Sequence, residues 1–139
     1  MIKTENKKGF SIKEIRKREH EENEKQLRAK CEEIAEKKFT KAKLAEWSNA
    51  NKGLWYLPIL DDEDNIKLLA ILKPITRSIL SYASTKIEDE DLYEFLEAVM
   101  KECWIDGDKA IIDEDEFFIP AAQKLNKILE GYKSALVKR

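Results

Sequence analysis

The chain has 139 residues, of which 42% are hydrophobic and 39% are charged, and this is enough apolar material for the core of one domain. Its 26 Lys and Arg residues against 28 Asp and Glu residues leave a net charge of −2. That balance argues against a general nucleic-acid binder, which needs a strongly basic surface. The sequence holds no apolar run near the roughly 20 residues that a membrane span requires, and its start has no apolar signal-peptide core. We therefore expect a soluble cytoplasmic protein with no membrane contact.

The charge is unevenly distributed along the chain. Residues 1–53 hold 15 Lys and Arg against 10 Asp and Glu, a net charge of +5, and residues 54–139 hold 11 against 18, a net charge of −7. Such an asymmetry favours association with a partner or with another copy. We predict a charged helical arm over residues 1–40 and a compact domain over residues 41–139.

A long helix is predicted in the arm, from the stretch SIKEIRKREHEENEKQLRAKCEEIAEKKFTKAKLAEW. Ser11 and Glu14 have the spacing of a capping box, which marks a helix start. The stretch from Arg16 to Gln26 contains no apolar residue, so the heptads of a sustained coiled coil are absent there. A narrow apolar stripe follows at helical spacing and predicts that the second half packs against something; its members are Leu27, Cys31, Ile34, Ala35 and Ala42.

A β-hairpin is predicted after the helix stop NANKG at residues 49–53. The runs LWYLPIL and IKLLAILKP are rich in aliphatic and aromatic residues and flank the polar turn DDEDN. We place the strands at about 54–60 and 66–73. Pro58 cannot donate a hydrogen bond to a sheet, so its strand is expected to lie at an edge or to bulge at that residue.

Three helices are predicted after the hairpin, at about 75–84, 89–104 and 114–136, because apolar residues recur there at helical spacing. Pro120 is expected to bend the last helix or to mark its true start, and Gly131 to weaken its far end. The predicted fold class is α+β and mostly α: a long N-terminal helix, one β-hairpin and three helices.

An acidic break at residues 103–120, CWIDGDKAIIDEDEFFIP, has the composition of a candidate calcium site. An EF-hand loop that starts at Asp106 would place Ala110 at position 5 and Ile111 where glycine is required, so the pattern fails. The residues of the hairpin turn do not match the EF-hand pattern either. We expect the acids from Asp113 to Glu116 to cap a helix, and Gly107 to reverse the chain with a positive φ.

Catalytic and cofactor motifs are missing from the sequence. The single histidine, His20, lies among charged residues, so neither Cys31 nor Cys103 has an evident base. Three His and Cys residues in total are too few for a structural zinc site, and no phosphate-binding glycine motif occurs. We expect no enzyme activity, no metal and no cofactor, and two reduced cysteines of core type.

Aromatic residues around the start of the hairpin provide the candidate partner interface. Trp and Tyr commonly anchor protein interfaces, although strand aromatics also serve as ordinary core. Interleaved with lysines, they would alternatively form a stacking surface for single-stranded nucleic acid. With the apolar stripe of the arm, the candidate interface residues are Trp47, Trp55, Tyr56, Leu27 and Ile34.

The order of motifs resembles a known class of small proteins. The strand LWYLPILDDEDN, the strand and helix LLAILKPITRSIL, and the junction ECWIDGDKAIIDEDEFFIPAAQKLNKIL are similar to tail assembly chaperone-type proteins of tailed bacteriophages and prophages, particularly those of Bacteroides-like hosts. The resemblance covers about residues 42–132. It implies a non-enzymatic protein that associates with tape-measure and tail-tube proteins. The longer, more charged arm and the position of Pro120 depart from the pattern.

Three functional hypotheses remain open at this stage. The first is the interaction protein just described, made in the bacterial host cytoplasm. The second is a phage virion or regulatory protein that binds nucleic acid through the basic arm and the face of Trp55 and Tyr56. The third is an oligomer held together by the arm. Because a body of about 90 residues can bury enough apolar surface to be stable by itself, we expect removal of the arm to leave the body folded.

Overall fold

The computed structural model describes residues 11–88, 91–130 and 136–139. It confirms the mixed α+β, mostly helical class with a long N-terminal helix. The elements in chain order are α1 (Ile12–Phe39), α2 (Lys41–Asn51), β1 (Trp55–Leu60), β2 (Ile66–Leu72), α3 (Arg77–Ser84), α4 (Leu92–Cys103), β3 (Trp104–Gly107), the single turn α5 (Ala110–Asp113) and α6 (Asp115–Leu129).

The N-terminal helix starts at the predicted cap, where the Oγ of Ser11 accepts a hydrogen bond from the N–H of Glu14 at 3.1 Å. Its helical pattern runs on into the next segment, but the backbone breaks at Thr40, which has φ 73° and ψ 153°. This region of backbone space strongly favours glycine, so a β-branched residue there is strained. The break separates α1 from α2, and the Thr40 side chain caps α2 by accepting from the N–H of Lys43 at 3.3 Å.

The hairpin is confirmed close to its predicted bounds. β1 and β2 pair antiparallel, and the turn is held by the carboxylate of Asp61, which accepts from the N–H groups of Glu63 and Asn65 at 2.9 Å each. The strand order is β1-β2-β3, so the strand that contains Pro58 lies at an edge, as the proline predicted.

A third strand is present that the sequence did not predict. The helix predicted to reach residue 104 ends at Cys103, and the next four residues form β3, which pairs antiparallel with β2. The expected two-stranded hairpin is therefore the first part of a three-stranded sheet with β2 at its centre. Its sequence, Trp-Ile-Asp-Gly, does not alternate apolar with polar residues, so it carried no strand signal.

The sheet is covered by helices on both faces. Ala70 and Leu72 of β2 belong to the larger core with α3, α4, α5 and α6, whereas Leu69 and Ile71 belong to a smaller core with α1 and α2. This arrangement follows from the alternation of side chains along a strand. β2 is thus buried on both faces and forms the centre of the molecule.

The second half of α1 belongs to the smaller core. Cys31 and Ala35 are fully buried there, while the residues from Arg16 to Gln26 are exposed. This confirms the expectation that only the second half of the long helix packs. The division at residue 40 into an arm and a separately folding domain stays a prediction. A cut at residue 40 would remove residues 27–39, which form part of the smaller core.

The C-terminal helices differ from the prediction mainly at their ends. α6 begins at Asp115 and contains Pro120, so the proline does not set the helix start. Residues 89–90, at the predicted start of α4, and residues 131–135, in the predicted last turns of α6, lie outside the described residues. Leu136, the predicted end of the last helix, is not helical and is fully exposed.

A candidate partner-binding groove

An open groove of about 960 Å³ runs along the outer edge of β1. Residues of α1 and α2 form one wall, β1 and the residue before it form the base, and the end of α6 forms the other wall. We call this space the β1 groove. It exists because both helical layers extend past the last strand of the sheet, so that the edge of β1 lies in a slot between them.

The base of the β1 groove includes backbone groups that do not pair within the sheet. Leu69 of β2 donates its N–H to the carboxylate of Asp108 at 2.8 Å and accepts from the N–H of Asp108 at 3.0 Å, so its backbone faces β3. Backbone direction alternates along a strand, so Ala70 faces β1, where its partner is Leu57. The residues on either side of Leu57 must then direct their backbone groups away from β2 and into the groove.

These outward residues are Tyr56 and Pro58. Tyr56 offers both an N–H and a C=O to the groove, whereas Pro58 offers only a C=O because proline has no N–H. A proline in this position limits edge-to-edge pairing of strands. The edge of β1 therefore has backbone groups available for pairing, but it lacks the N–H of Pro58.

The α1 wall carries a row of charged residues. Glu24, Arg28, Glu32 and Glu36 line the groove at successive intervals of four residues, which places them along one side of the helix. Glu32 accepts a hydrogen bond from the O–H of Tyr56 at 2.5 Å. Burial first, and then this hydrogen bond and the negative charge of Glu32, raise the pKa of Tyr56 well above its usual value.

The rest of the lining is mostly apolar. Leu125 and Ile128 of α6 form the far wall, and Ile128 is 44% exposed. On the side of α2, Leu44 and Ala45 line the groove, and Leu54 lines it before β1. The groove thus combines apolar residues with the charged residues of α1 and with Lys41 at the start of α2.

Three of the five predicted interface residues meet at the β1 groove. Leu27, Trp55 and Tyr56 line it. Ile34 and Trp47 do not, since both are half-buried in the smaller core. Trp47 packs edge-on against Phe39, with ring centroids 5.4 Å apart.

Sequence reasoning missed the contribution of α6 to the groove. Leu125 and Ile128 form part of the apolar stripe that predicts the last helix, and nothing in that stripe distinguishes residues at a groove from residues in the core. Ala45, on the opposite wall, is a small exposed residue of α2. It carries no signal of any kind in the sequence.

The acidic break is a structural joint. The Oδ2 of Asp108 accepts a hydrogen bond from the N–H of Leu69, and the Oδ1 of Asp108 lies 3.3 Å from the Nζ of Lys38. This carboxylate therefore links β3, β2 and α1. Gly107 has φ +134°, which confirms the predicted positive φ. The expected capping by the later acids is wrong at the N-cap of α6, where Glu114 makes no side-chain hydrogen bond to the helix start. The longer Glu side chain suits that position less well than Asp, Asn, Ser or Thr.

The remaining titratable candidates lie away from the groove or below its surface. Cys31 and Cys103 are free and buried, and burial raises the pKa of each thiol from 9.0 to about 11. His20 is exposed and lies 3.1 Å from Glu24. Within residues 11–88, 91–130 and 136–139, no three His, Cys, Asp or Glu residues are grouped so that they could hold a metal ion.

Comparison with known proteins identifies no relative. No family model, curated protein or solved structure matches the chain. Of the helices in the described ranges, none has the length and apolarity that crossing a bilayer requires.

Proposed function

We propose that this protein is a non-enzymatic interaction module that binds an apolar segment of a partner protein in the β1 groove. The observation that supports it is the lining of the groove, in which the half-buried Trp55 and the exposed Ile128 lie beside the edge of β1, with which no strand of the described residues pairs. Grooves with apolar walls and a few polar groups are the usual form of segment-binding sites. Trp55 supplies the kind of aromatic anchor that dominates many interfaces.

We further propose the role of a phage tail assembly chaperone in the bacterial cytoplasm, with a tape-measure or tail-tube protein as the partner. The motif order of residues 42–132 supports this assignment. A protein that covers apolar stretches of a long partner before assembly needs an exposed receptor surface, and the β1 groove meets that requirement.

The nucleic-acid alternative is less well supported by the geometry. Tyr56 is held against α1 by Glu32, and Glu36 lines the same wall. Carboxylates at that place repel a phosphate backbone, and the ring of Tyr56 is half-buried in the smaller core. A stacking surface needs open ring faces next to cations.

Co-purification with the candidate partners tests the proposal. The full chain is co-expressed with tape-measure or tail-tube polypeptides from the same phage or prophage. The test variant is Ala45→Arg, which fills the groove from α2. The matched control is Ala42→Arg, which adds the same side chain to an exposed position of the same helix outside the groove lining.

We expect the wild type and Ala42→Arg to retain the tail polypeptide and Ala45→Arg to lose it. Equal retention by both variants would show that the groove does not bind the partner. If no tail polypeptide binds the wild type, the chaperone role is wrong.

A further inference from the structure

We propose that the occupant of the β1 groove is an extended, cationic segment of a partner polypeptide, which adds to the sheet as a fourth strand beside β1. This inference rests on the proposed function and specifies how the partner is bound. It follows from the backbone groups at the edge of β1, from the shape of the slot and from the charges on α1.

The backbone groups at the edge favour a strand over a helix. In the sheet that the described residues form, the outward N–H and C=O of Tyr56 and the outward C=O of Pro58 point away from β2 and pair with no strand. An apolar helix laid over them would remove them from water without a replacement hydrogen bond, which is costly. A strand would pair them and would bury the apolar lining at the same time.

The slot also has the form of a missing strand. The two helical layers that cover β2 continue past β1, with Leu27 on one side and Leu125 on the other. A fourth strand would lie about 4.8 Å beyond β1, in the space between those layers. Its alternate side chains would enter the two cores from opposite faces, as those of β1 and β2 do.

The charge on the α1 wall indicates a cationic segment. Three carboxylates, those of Glu24, Glu32 and Glu36, line the slot against two cations, Arg28 on the same wall and Lys41 at the start of α2, so the acids are in excess. A Lys or Arg side chain on the face of the added strand that meets α1 would lie beside these carboxylates. Such complementarity contributes mainly to selectivity and to the rate of association.

Pro58 provides the test that separates a strand from any other occupant. Pro58→Val restores the one N–H that the outward edge lacks, and it adds a residue with high strand propensity. One further hydrogen bond should tighten strand binding about threefold to tenfold. A helix or an irregular segment in the groove would gain nothing from that N–H. The control is Pro74→Val, a proline outside the groove lining.

The probe is the synthetic peptide Lys-Val-Thr-Val-Thr-Val-Lys, added to the full-length ¹⁵N-labelled chain and followed by NMR. A second peptide with both Lys residues replaced by Glu tests the charge. We expect the amide signal of Tyr56 to shift with the Lys peptide, with weaker binding of the Glu peptide. Pro58→Val should bind the Lys peptide about threefold to tenfold more tightly than wild type, and Pro74→Val should bind as wild type does.

Other outcomes would overturn the inference in distinguishable ways. Equal affinity of Pro58→Val and wild type, with binding still blocked by Ala45→Arg, would mean that the groove holds a segment that is not a strand, and the proposed function would stand. Absence of binding by either peptide would reject the strand mode.

Two forms of self-occupation are also distinguishable. A shift of the Tyr56 amide when the protein alone is concentrated would assign the slot to a second copy. Much tighter peptide binding by a chain that ends at Glu130 would assign it to this chain's own tail, where Leu136 and Val137 are exposed. Either result would reject a foreign segment as the occupant.

Discussion

Replacing Gly107 with alanine should be among the most damaging single changes in this fold. Gly107 ends β3 with φ +134°. A Cβ at this position would lie 2.5 Å from the carbonyl oxygen of Leu69 and 2.7 Å from the Cα of Ala70. Both atoms are backbone of the central strand β2, so the overlap cannot be relieved by rotating a side chain.

Gly53 offers a matched control because it has nearly the same backbone conformation, with φ +130°. A Cβ there would meet only the Cγ of Pro74, at an ordinary 3.6 Å. Forcing alanine into this region of φ costs about 1–3 kcal/mol at either position. The overlap with β2 adds roughly 2 kcal/mol at Gly107 alone, in the range of other overpacked sites.

We therefore expect Gly53→Ala to lower the free energy of unfolding by about 2 kcal/mol and Gly107→Ala to lower it by about 4 kcal/mol. The second loss is a large part of the roughly 5–15 kcal/mol of a typical domain. Urea denaturation of wild type and both variants, followed by circular dichroism, measures the difference. If the two variants agree within about 0.5 kcal/mol, the close approach of β3 to β2 at Gly107 is wrong.

Asp108→Ala should lower the free energy of unfolding by about 2 kcal/mol, because it leaves the buried N–H of Leu69 without an acceptor. Lys38→Met should lower it by less than about 1 kcal/mol, because it removes only a partly exposed ion pair with Asp108. Equal losses of the two variants in urea melts would contradict this assignment. A chain that begins at Lys41 should lose its cooperative thermal melt, because the apolar face of the sheet beneath α1 becomes exposed. A chain that begins at Glu22 keeps the packed half of α1 and should keep the cooperative melt. A cooperative melt of the chain that begins at Lys41 would instead support the independent domain expected from the sequence. Each buried thiol has its pKa raised from 9.0 to about 11, so the stability from keeping it neutral is complete below pH 9 and is lost between pH 9 and about 11. Over that interval the wild type should lose more stability in urea melts than a variant with both cysteines replaced by alanine, and parallel losses would argue against buried neutral thiols.

Much of the local structure was predictable because its causes lie within a few residues. The capping box at Ser11 marks the start of α1, the polar turn at Asp61 joins two alternating apolar runs, and Pro58 restricts its strand to an edge. The break at Thr40 was not predictable, because its surroundings have helix-forming sequence on both sides and the backbone there adopts a conformation that its own residue type disfavours.

The candidate site was predictable only in part. Trp55, Tyr56 and Leu27 were identified from residue type and spacing, and they do lie together. The same criteria selected Trp47 and Ile34, which are used in internal packing. Residue type measures how much an aromatic or aliphatic side chain gains from burial, and it does not determine whether the neighbour that buries it belongs to the same chain.

The sequence alone determined the start of α1, the two strands of the hairpin and the approximate positions of the later helices, since caps, turns and periodicity act between neighbouring residues. Only the tertiary structure decided that β3 joins the sheet, that Asp108 links β3 to β2 and α1, and that an open slot remains beside β1. These features depend on residues such as Leu27 and Leu125, which are far apart in the chain and lie on opposite walls of one groove. Their separation is set by how the two helical layers pack on the sheet, and no local pattern encodes that distance.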